Sequence, residues 1–166
     1  MKDNSTLIHC EHVSERAYDD VVAAFEKAVP LVKGNAIGEI VSASTAADDF
    51  ENRVKSLEGP SGFMRFLDID HGTWLSLVGP PSRCKLYTLG NPLVAHTMLK
   101  HDLGVGLHVP VRVMISEDRK TGKARLAYDL PSSLMARLGN QQVNAAARHL
   151  DEKLAALAET VTGVAA

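Results

Sequence analysis

The stretch that decides the fold is residues 107–115, which read Leu107-His108-Val109-Pro110-Val111-Arg112-Val113-Met114-Ile115. An aliphatic side chain stands at every second position of this stretch, from Leu107 to Ile115. Because successive side chains of a strand point to opposite faces, this alternation predicts a strand with one face buried in an apolar core. His108 and Arg112 are then expected on the other face, toward solvent or a partner subunit.

The segments around this strand extend it into a sheet. Residues 117–122 are polar and contain a glycine, so they predict a turn into an antiparallel hairpin with the following strand. Upstream, Gly79-Pro80-Pro81 marks another turn between two apolar stretches. In all, strands are predicted at residues 7–13, 63–69, 83–89, 107–115 and 123–128.

Helices are predicted between and after these strands. Apolar residues recur at helical spacing over residues 17–28, and Pro92 stands at the first position of a short helix over residues 93–100. Residues 34–60 contain another helical pattern, which we interpret as an insertion. The order strand, helix, four strands, helix predicts a mixed α+β class, in a single domain spanning residues 1–166.

The last segment carries a long apolar stripe, with its members three and four residues apart. A helix with such a stripe must bury it, and the predicted sheet is the one surface large enough to receive it. The stripe consists of Val143, Ala147, Leu150, Leu154, Leu157 and Val161.

Composition narrows the classes of function. The 166 residues are 45% apolar, enough for a core, and the net charge of −2 gives no general attraction to nucleic acid or to anionic membranes. Cys10 and Cys84 lack the spacing of redox, zinc or covalent haem sites, so no metal site is expected. No stretch approaches the roughly 20 apolar residues of a membrane span or a signal peptide's apolar run, so a reduced, cytoplasmic protein is expected.

A set of short motifs appears in a fixed order and spacing: Phe66-Leu67-Asp68-Ile69-Asp70-His71, Arg83, Leu89-Gly90-Asn91-Pro92, Met98, Gly106-Leu107, Val109-Pro110-Val111-Arg112-Val113, and residues 128–138 with Pro131. Together these motifs resemble the bacterial and archaeal family called domain of unknown function 302. The resemblance implies an antiparallel sheet curled around the C-terminal helix, and a homodimer whose subunits pair through strands. It covers about residues 5–33 and 63–162 and implies no established reaction.

The chain departs from the family pattern at residues 34–60 and at three histidines, His96, His101 and His108, where the family usually has small, amide or acidic residues. One histidine over an apolar cavity suffices to bind haem, so His96 and His101 are candidate axial ligands, with Met98 and Met114 lining the cavity. His96 and His101 are about 140° apart on a helix, which disfavours a shared zinc site. The alternative is that all three histidines are ordinary surface or interface residues.

Other polar residues allow both a chemical and a structural interpretation. Asp68 and Asp70, with His71 beside Trp74, can form an acid and base group if close carboxylates raise each other's pKa, or can simply end a strand in a turn. Gly90-Asn91-Pro92 either presents a helix N-terminus to a small anion or forms a rigid turn in which glycine supplies an unusual backbone angle. A basic outer sheet face is predicted from Arg83, Lys85, Tyr87, Arg112, Lys123 and Arg125.

Three functions follow from these patterns. The first is a small-molecule-binding or accessory domain, with an apolar pocket between the sheet and the C-terminal helix. Its candidate ligand-binding residues are Asn91, His108 and Arg112. The second is a haem-binding enzyme or sensor, and the third is a structural dimer module that binds no ligand. Whether the chain catalyses a reaction stays open, because no nucleophile motif is present.

Overall fold

The computed structural model describes residues 6–165, and its backbone forms one five-stranded antiparallel sheet with helices on one face. The spatial order of the strands is β1-β5-β4-β3-β2, so β1 and β2 are the two edges. This arrangement confirms the predicted α+β class. The strands are β1 (His9–Ser14), β2 (Met64–Asp70), β3 (Cys84–Gly90), β4 (Val111–Glu117) and β5 (Ala124–Asp129).

Helices lie in the connections between the strands, except between β4 and β5, which a turn joins. Over residues 6–165 no helix combines the length and apolar character needed to cross a bilayer. The predicted helices after β1 and after β3 are present, and Pro92 begins the second of them. The apolar patch at residues 74–78 also proves helical. The helices are α1 (Tyr18–Ala28), α2 (Ala36–Ala43), α3 (Ala47–Lys55), α4 (His71–Val78), α5 (Pro92–Leu99), α6 (Pro131–Met135) and α7 (Gln141–Thr162), with 3₁₀ turns at Leu103–Leu107 and Ala136–Leu138.

The strand predicted at residues 107–115 begins later in the structure than the alternation of its apolar residues indicates. β4 begins at Val111, and Leu107 lies instead at the end of a 3₁₀ turn with 78% of its surface exposed. The Asp102 carboxylate caps this turn by accepting the Gly104 N–H at 2.7 Å. Pro110 has no N–H to donate to a ladder, so the alternating residues before Val111 do not join the sheet.

The two faces of the sheet differ in what covers them. Val111, Val113 and Ile115 of β4 are buried on the face that carries the helices, whereas Arg112 and Met114 are exposed on the opposite face. Helix α1 packs over β4 and β5, and α7 packs beside α1 and against β1. All six members of the predicted C-terminal stripe are buried in this layer. We call the opposite side of the sheet the open face.

Residues 34–60 form a small apolar cluster of their own at the β2 edge. Val54 of α3 is fully buried against Met64 of β2, and Ile37, Phe50 and Leu93 pack around this pair. The cluster therefore joins helices α2 and α3 to β2 and α5. The segment before the insertion adds backbone hydrogen bonds along β2, from Val32 N to Arg65 O and from Arg65 N to Pro30 O, both at 2.9 Å.

The buried stripe of α7 predicts a large loss of stability when one of its leucines is shortened. Leu154 is 1% exposed, so Leu154→Ala should lower the free energy of unfolding by about 2–5 kcal/mol, the usual range for removing a buried leucine side chain. Leu77→Ala is the matched control, because Leu77 is 83% exposed, and it should cost less than about 0.5 kcal/mol. Urea denaturation followed by circular dichroism measures both. Equal effects of the two substitutions would contradict this packing.

Candidate functional site

An apolar cavity of about 230 Å³ lies where the ends of β3 and β4 meet α5 and α7. Leu89 and Val111 contribute the strand walls, Met98 the helical wall, and Leu150 closes the side formed by α7. This position matches the predicted pocket between the sheet and the C-terminal helix. The remaining lining residues are Phe66, Gly90, Asn91, Pro92, Val94, Ala95, Leu99, Val109 and Pro110.

Asn91 shapes the corner of this cavity through three hydrogen bonds. Its Oδ1 accepts the Leu93 N–H at 2.9 Å and so caps α5. Its Nδ2 donates to Glu58 Oε1 at 2.7 Å and to the Gly62 carbonyl at 2.9 Å. The amide is buried, and these contacts use its acceptor oxygen and both donor hydrogens. The Asn91 side chain therefore connects the start of α5 to residues 58 and 62, which favours the rigid-turn interpretation of Gly90-Asn91-Pro92.

Gly90 contributes space to the cavity and does not supply a left-handed backbone angle. It is the last residue of β3, and the glycines with positive φ lie elsewhere, so that expectation is wrong. A Cβ at Gly90 would lie 3.5 Å from Pro110 Cβ and 3.6 Å from Phe66 Cε2, which is ordinary contact. Phe66 reaches this wall at a register shift between Arg65 and Leu67, where β2 has one more residue than β3. The bulge thus turns an aromatic ring toward the cavity.

The structure separates the residues proposed for haem. Met98 is fully buried and lines the cavity. His96 and His101 are exposed, and neither belongs to the lining of this cavity. Met114 points to the open face and is 38% exposed, so its predicted place in the cavity wall is wrong. The described part of the chain also holds no group of three His, Cys, Asp or Glu side chains arranged for a metal ion.

His108 and Arg112 line a second cavity, a cleft of about 410 Å³ on the open face of the sheet. Its floor comes from three neighbouring strands, with Thr88 on β3, Arg112 on β4 and Asp129 on β5. Its walls are Leu107, His108, Val109, Pro110, Val111 and Leu134. The segment Val109-Pro110-Val111 lines both the apolar cavity and this open-face cleft.

Arg137 forms hydrogen bonds with one ring nitrogen of His108, Nε2. The Arg137 guanidinium donates to His108 Nε2 from Nε and Nη2, each at 3.3 Å. Burial lowers the pKa of His108 below the ordinary histidine value, and the positive charge of Arg137 lowers it further. With Nε2 accepting, the neutral ring carries its proton on Nδ1 and remains a donor there.

Comparison with known proteins places this fold in a family. The profile described as "Domain of unknown function DUF302" matches residues 39–161, about three quarters of the chain. The chain belongs to the DUF302 family. The match includes residues 39–60, which the sequence analysis assigns to the inserted segment, and it takes in the entire lining of the apolar cavity and of the open-face cleft.

A solved structure of the same family shares the fold. The crystal structure of an uncharacterised conserved DUF302 protein from Bacillus stearothermophilus superposes with a TM-score of 0.65, over 92% of this chain and 97% of that one. The two sequences are 13% identical, so the likeness concerns the fold alone. No curated protein matches the chain.

Asp68, Asp70 and His71, the predicted acid and base group, each contact a different residue, and no hydrogen bond joins them to one another in the described part of the chain. Asp68 pairs with Arg65, whereas Asp70 caps α4 by accepting the Thr73 N–H at 3.0 Å. That hydrogen bond lowers the pKa of Asp70, which is the reverse of the mutual rise expected for two close carboxylates. His71 Nδ1 accepts the Trp74 indole N–H at 3.3 Å. These contacts favour the structural interpretation of this segment, although the strand ends in the cap of a helix and not in a turn.

The predicted basic outer face is also wrong for three of its members. Arg83 lies over the Tyr18 ring and pairs with Asp19, both on α1, so it faces the helix layer. Lys85 and Tyr87 point to the helix-covered face, where the Glu26 carboxylate of α1 accepts hydrogen bonds from Lys85 Nζ at 3.2 Å and from the Tyr87 hydroxyl at 2.9 Å. Arg65 Nη1 lies 3.7 Å from the same carboxylate. Burial alone would raise the pKa of Glu26, but the donors and cations around it outweigh burial and leave that pKa below its ordinary value.

The sequence analysis did not predict this polar cluster, because it assigned Lys85 and Tyr87 to the wrong face of β3. Tyr87 shares its face with the buried Leu89, two residues along β3, and this relation was the available signal. Burial and the Glu26 carboxylate raise the pKa of Tyr87 far above its ordinary value, so its hydroxyl stays protonated and donates. Glu26, Arg65, Asp68, Lys85 and Tyr87 thus satisfy one another, which makes them a structural network.

The contact between Arg137 and His108 predicts a measurable change in pKa. Arg137→Gln removes the positive charge, so the pKa of His108 should rise toward its ordinary value while staying below it, because burial persists. An NMR titration of the His108 ring Cε1–H measures this shift. Arg148→Gln is the control, because Arg148 is an exposed arginine on α7 outside both cavities, and it should leave the pKa unchanged. A His108 pKa insensitive to Arg137→Gln would refute the contact.

Proposed function

We propose that this DUF302 member is a small-molecule-binding domain whose ligand is apolar and occupies the cavity between the sheet, α5 and α7. The observation that carries this proposal is the lining. Apart from the amide of Asn91, every side chain around the cavity is apolar, and the polar atoms of Asn91 are already bonded within the protein. A ligand with buried polar groups would find no partners there, which costs binding energy.

The size of the cavity indicates the size of the ligand. An aliphatic cavity of about 150 Å³ in another protein stays dry and binds benzene. A cavity of about 230 Å³ therefore suits a compact hydrocarbon or a one-ring to two-ring aromatic compound. Filling it would bury the partly exposed faces of Phe66 and Val94 as well as the ligand surface, and each Å² of apolar surface removed from water contributes roughly 25 cal/mol.

The haem alternative has less support than the apolar ligand. A haem bound here would need an axial nitrogen at the cavity, and the two histidines proposed for that role are exposed outside its lining. His108, which lines the neighbouring cleft, already accepts two hydrogen bonds from Arg137 at its Nε2. We therefore favour the apolar ligand over haem.

Filling the cavity from α5 tests the proposal. Ala95 lines the cavity, so Ala95→Phe should place a ring inside it and weaken the binding of benzene or indole by roughly tenfold or more, because the volume is then occupied. Isothermal titration calorimetry measures the affinity. A thermal-shift assay adds a second readout, since a ligand that binds the folded state raises the unfolding temperature.

A matched control lies at the next residue of the same helix. His96→Phe adds the same ring at an exposed position outside the cavity, and it should leave the affinity for benzene and indole unchanged. If both variants bind these probes as the original chain does, or if the original chain binds neither probe, the cavity is not a ligand site.

We also propose that two copies pair through the β1 edge, as the family resemblance implies. Leu130 N–H donates to the Ile8 carbonyl at 2.8 Å, and this contact sets which backbone groups of β1 face β5. By the alternation of antiparallel pairs, the N–H and C=O groups of His9, Glu11 and Val13 point away from β5. Among residues 6–165, no other strand pairs with this edge, so it offers a template for a second β1.

Removing one outward N–H from β1 should weaken this pairing and spare the fold. Glu11→Pro deletes such a donor without removing a hydrogen bond to β5. The chain should then shift from a dimeric to a monomeric mass in size-exclusion chromatography with light scattering. Glu11→Ala is the control, because it also removes the contact between Glu11 and Arg125 but keeps the N–H, and it should stay dimeric. A monomeric original chain would refute the pairing.

A further inference from the structure

The open-face cleft contains polar groups that the protein itself does not use. Within residues 6–165, Arg112 makes no hydrogen bond and no ion pair, whereas Arg65, Arg83 and Arg125 of the same sheet each contact a carboxylate. The Thr88 hydroxyl, on the neighbouring strand, is likewise without a hydrogen bond in the described part of the chain. Thr88 and Arg112 are cross-strand partners, so their side chains lie side by side on the cleft floor.

His108 adds a third unused donor. Its Nε2 is occupied by Arg137, so the neutral ring presents an Nδ1–H that has no acceptor among the described residues. The guanidinium of Arg137 lies 3.3 Å from His108 Nε2 and adds positive charge next to the cleft. The guanidinium of Arg112, the hydroxyl of Thr88 and the Nδ1–H of His108 can all donate hydrogen bonds. A ligand that pairs with them must therefore supply hydrogen-bond acceptors.

One carboxylate also lines the cleft. Asp129 Oδ1 lies 2.9 Å from His9 Nδ1, so that oxygen is engaged on the β1 side of the carboxylate. Among the lining residues, Arg112 carries a positive charge against this negative charge, and Arg137, which bonds His108 from outside the lining, adds a second positive charge. The balance of charge in the cleft thus favours an anion near Arg112 and Thr88.

The walls of the cleft are apolar, which restricts the kind of anion. Leu107 projects from the 3₁₀ turn with 78% of its surface exposed, and Val109, Pro110 and Leu134 continue the apolar wall. An inorganic anion would leave this surface in water. From the donors on the floor and the apolar wall above them, we propose that the open-face cleft binds a small organic carboxylate. Arg112 and Thr88 hold the carboxylate group, and Leu107 covers the carbon skeleton.

This site is independent of the apolar cavity, although both share the segment Val109-Pro110-Val111. The side chain of Arg112 points to the open face, whereas Leu150 and Met98 close the cavity on the opposite side of the sheet. Ala95→Phe should therefore leave carboxylate binding unchanged. Failure of the carboxylate site and failure of the apolar cavity are thus distinguishable.

Titration of isotopically labelled protein with acetate, hexanoate, benzoate and inorganic phosphate, followed by NMR, tests the proposal. Hexanoate and benzoate should shift the amide signals of Thr88 and Arg112 and bind roughly tenfold or more tightly than acetate or phosphate, because their carbon skeletons bury apolar surface. Comparable affinity for all four anions would mean a general anion site and would overturn the proposal. So would the absence of any shift at millimolar concentrations.

Two pairs of variants separate the floor from the wall. Arg112→Gln should weaken benzoate binding by roughly tenfold or more, since it removes a charged hydrogen bond, while Arg148→Gln should have no effect. Leu107→Ser should weaken hexanoate and leave acetate unchanged. Leu103→Ser is its control, because Leu103 lies in the same 3₁₀ turn, is 84% exposed and does not line the cleft. If either variant behaves like its control, the assignment of that residue is wrong.

Discussion

The apolar stripe of α7 must leave water, and the architecture follows from where that stripe is buried. A helix of 22 residues is about 33 Å long, so it needs a partner surface of comparable length. The helix-covered face of the sheet, together with α1, supplies that surface. Since α1 and α7 occupy the same face, no helix of residues 6–165 covers the middle of the opposite face. The sheet therefore has one face covered by helices and one face on which Arg112 and Met114 are exposed.

Asn91 determines how the helix layer ends at the corner where the apolar cavity lies. Its side chain fixes the start of α5, and the same amide holds Glu58 and Gly62 in the connection between α3 and β2. Two parts of the chain about 30 residues apart in sequence are therefore joined by one buried group. Small residues at Gly90 and Ala95 leave the adjoining volume unfilled. Larger residues would have improved the packing at this corner, and the space they would have occupied is what a ligand can use.

The sequence predicts the elements of this fold better than the geometry of its sites. Alternation of apolar residues locates the strands, and the spacing of the α7 stripe identifies its buried face, because both signals arise from local periodicity. The same rule failed at Leu107, where a carboxylate cap and a proline favour a turn over a strand. It also misplaced Arg83, Lys85 and Tyr87, since the face to which one strand's side chains point depends on its register with the next strand. Phe66 could not be placed for the same reason, because a bulge changes the register within β2.

The sequence predicts a pocket between the sheet and a helix, but it does not predict which side chains line that pocket. A pocket between sheet and helix follows from the layer arrangement, but which histidines reach it depends on the rotation of α5, a helix of eight residues that lacks a strong apolar stripe. Beyond Pro110 the chain enters β4, where Val111 and Arg112 point to opposite faces. One short strand end can therefore supply an aliphatic wall to the cavity and a cation to the cleft. The apolar cavity and the open-face cleft can therefore share one strand, since the alternation of side chains that buries Val111 exposes Arg112.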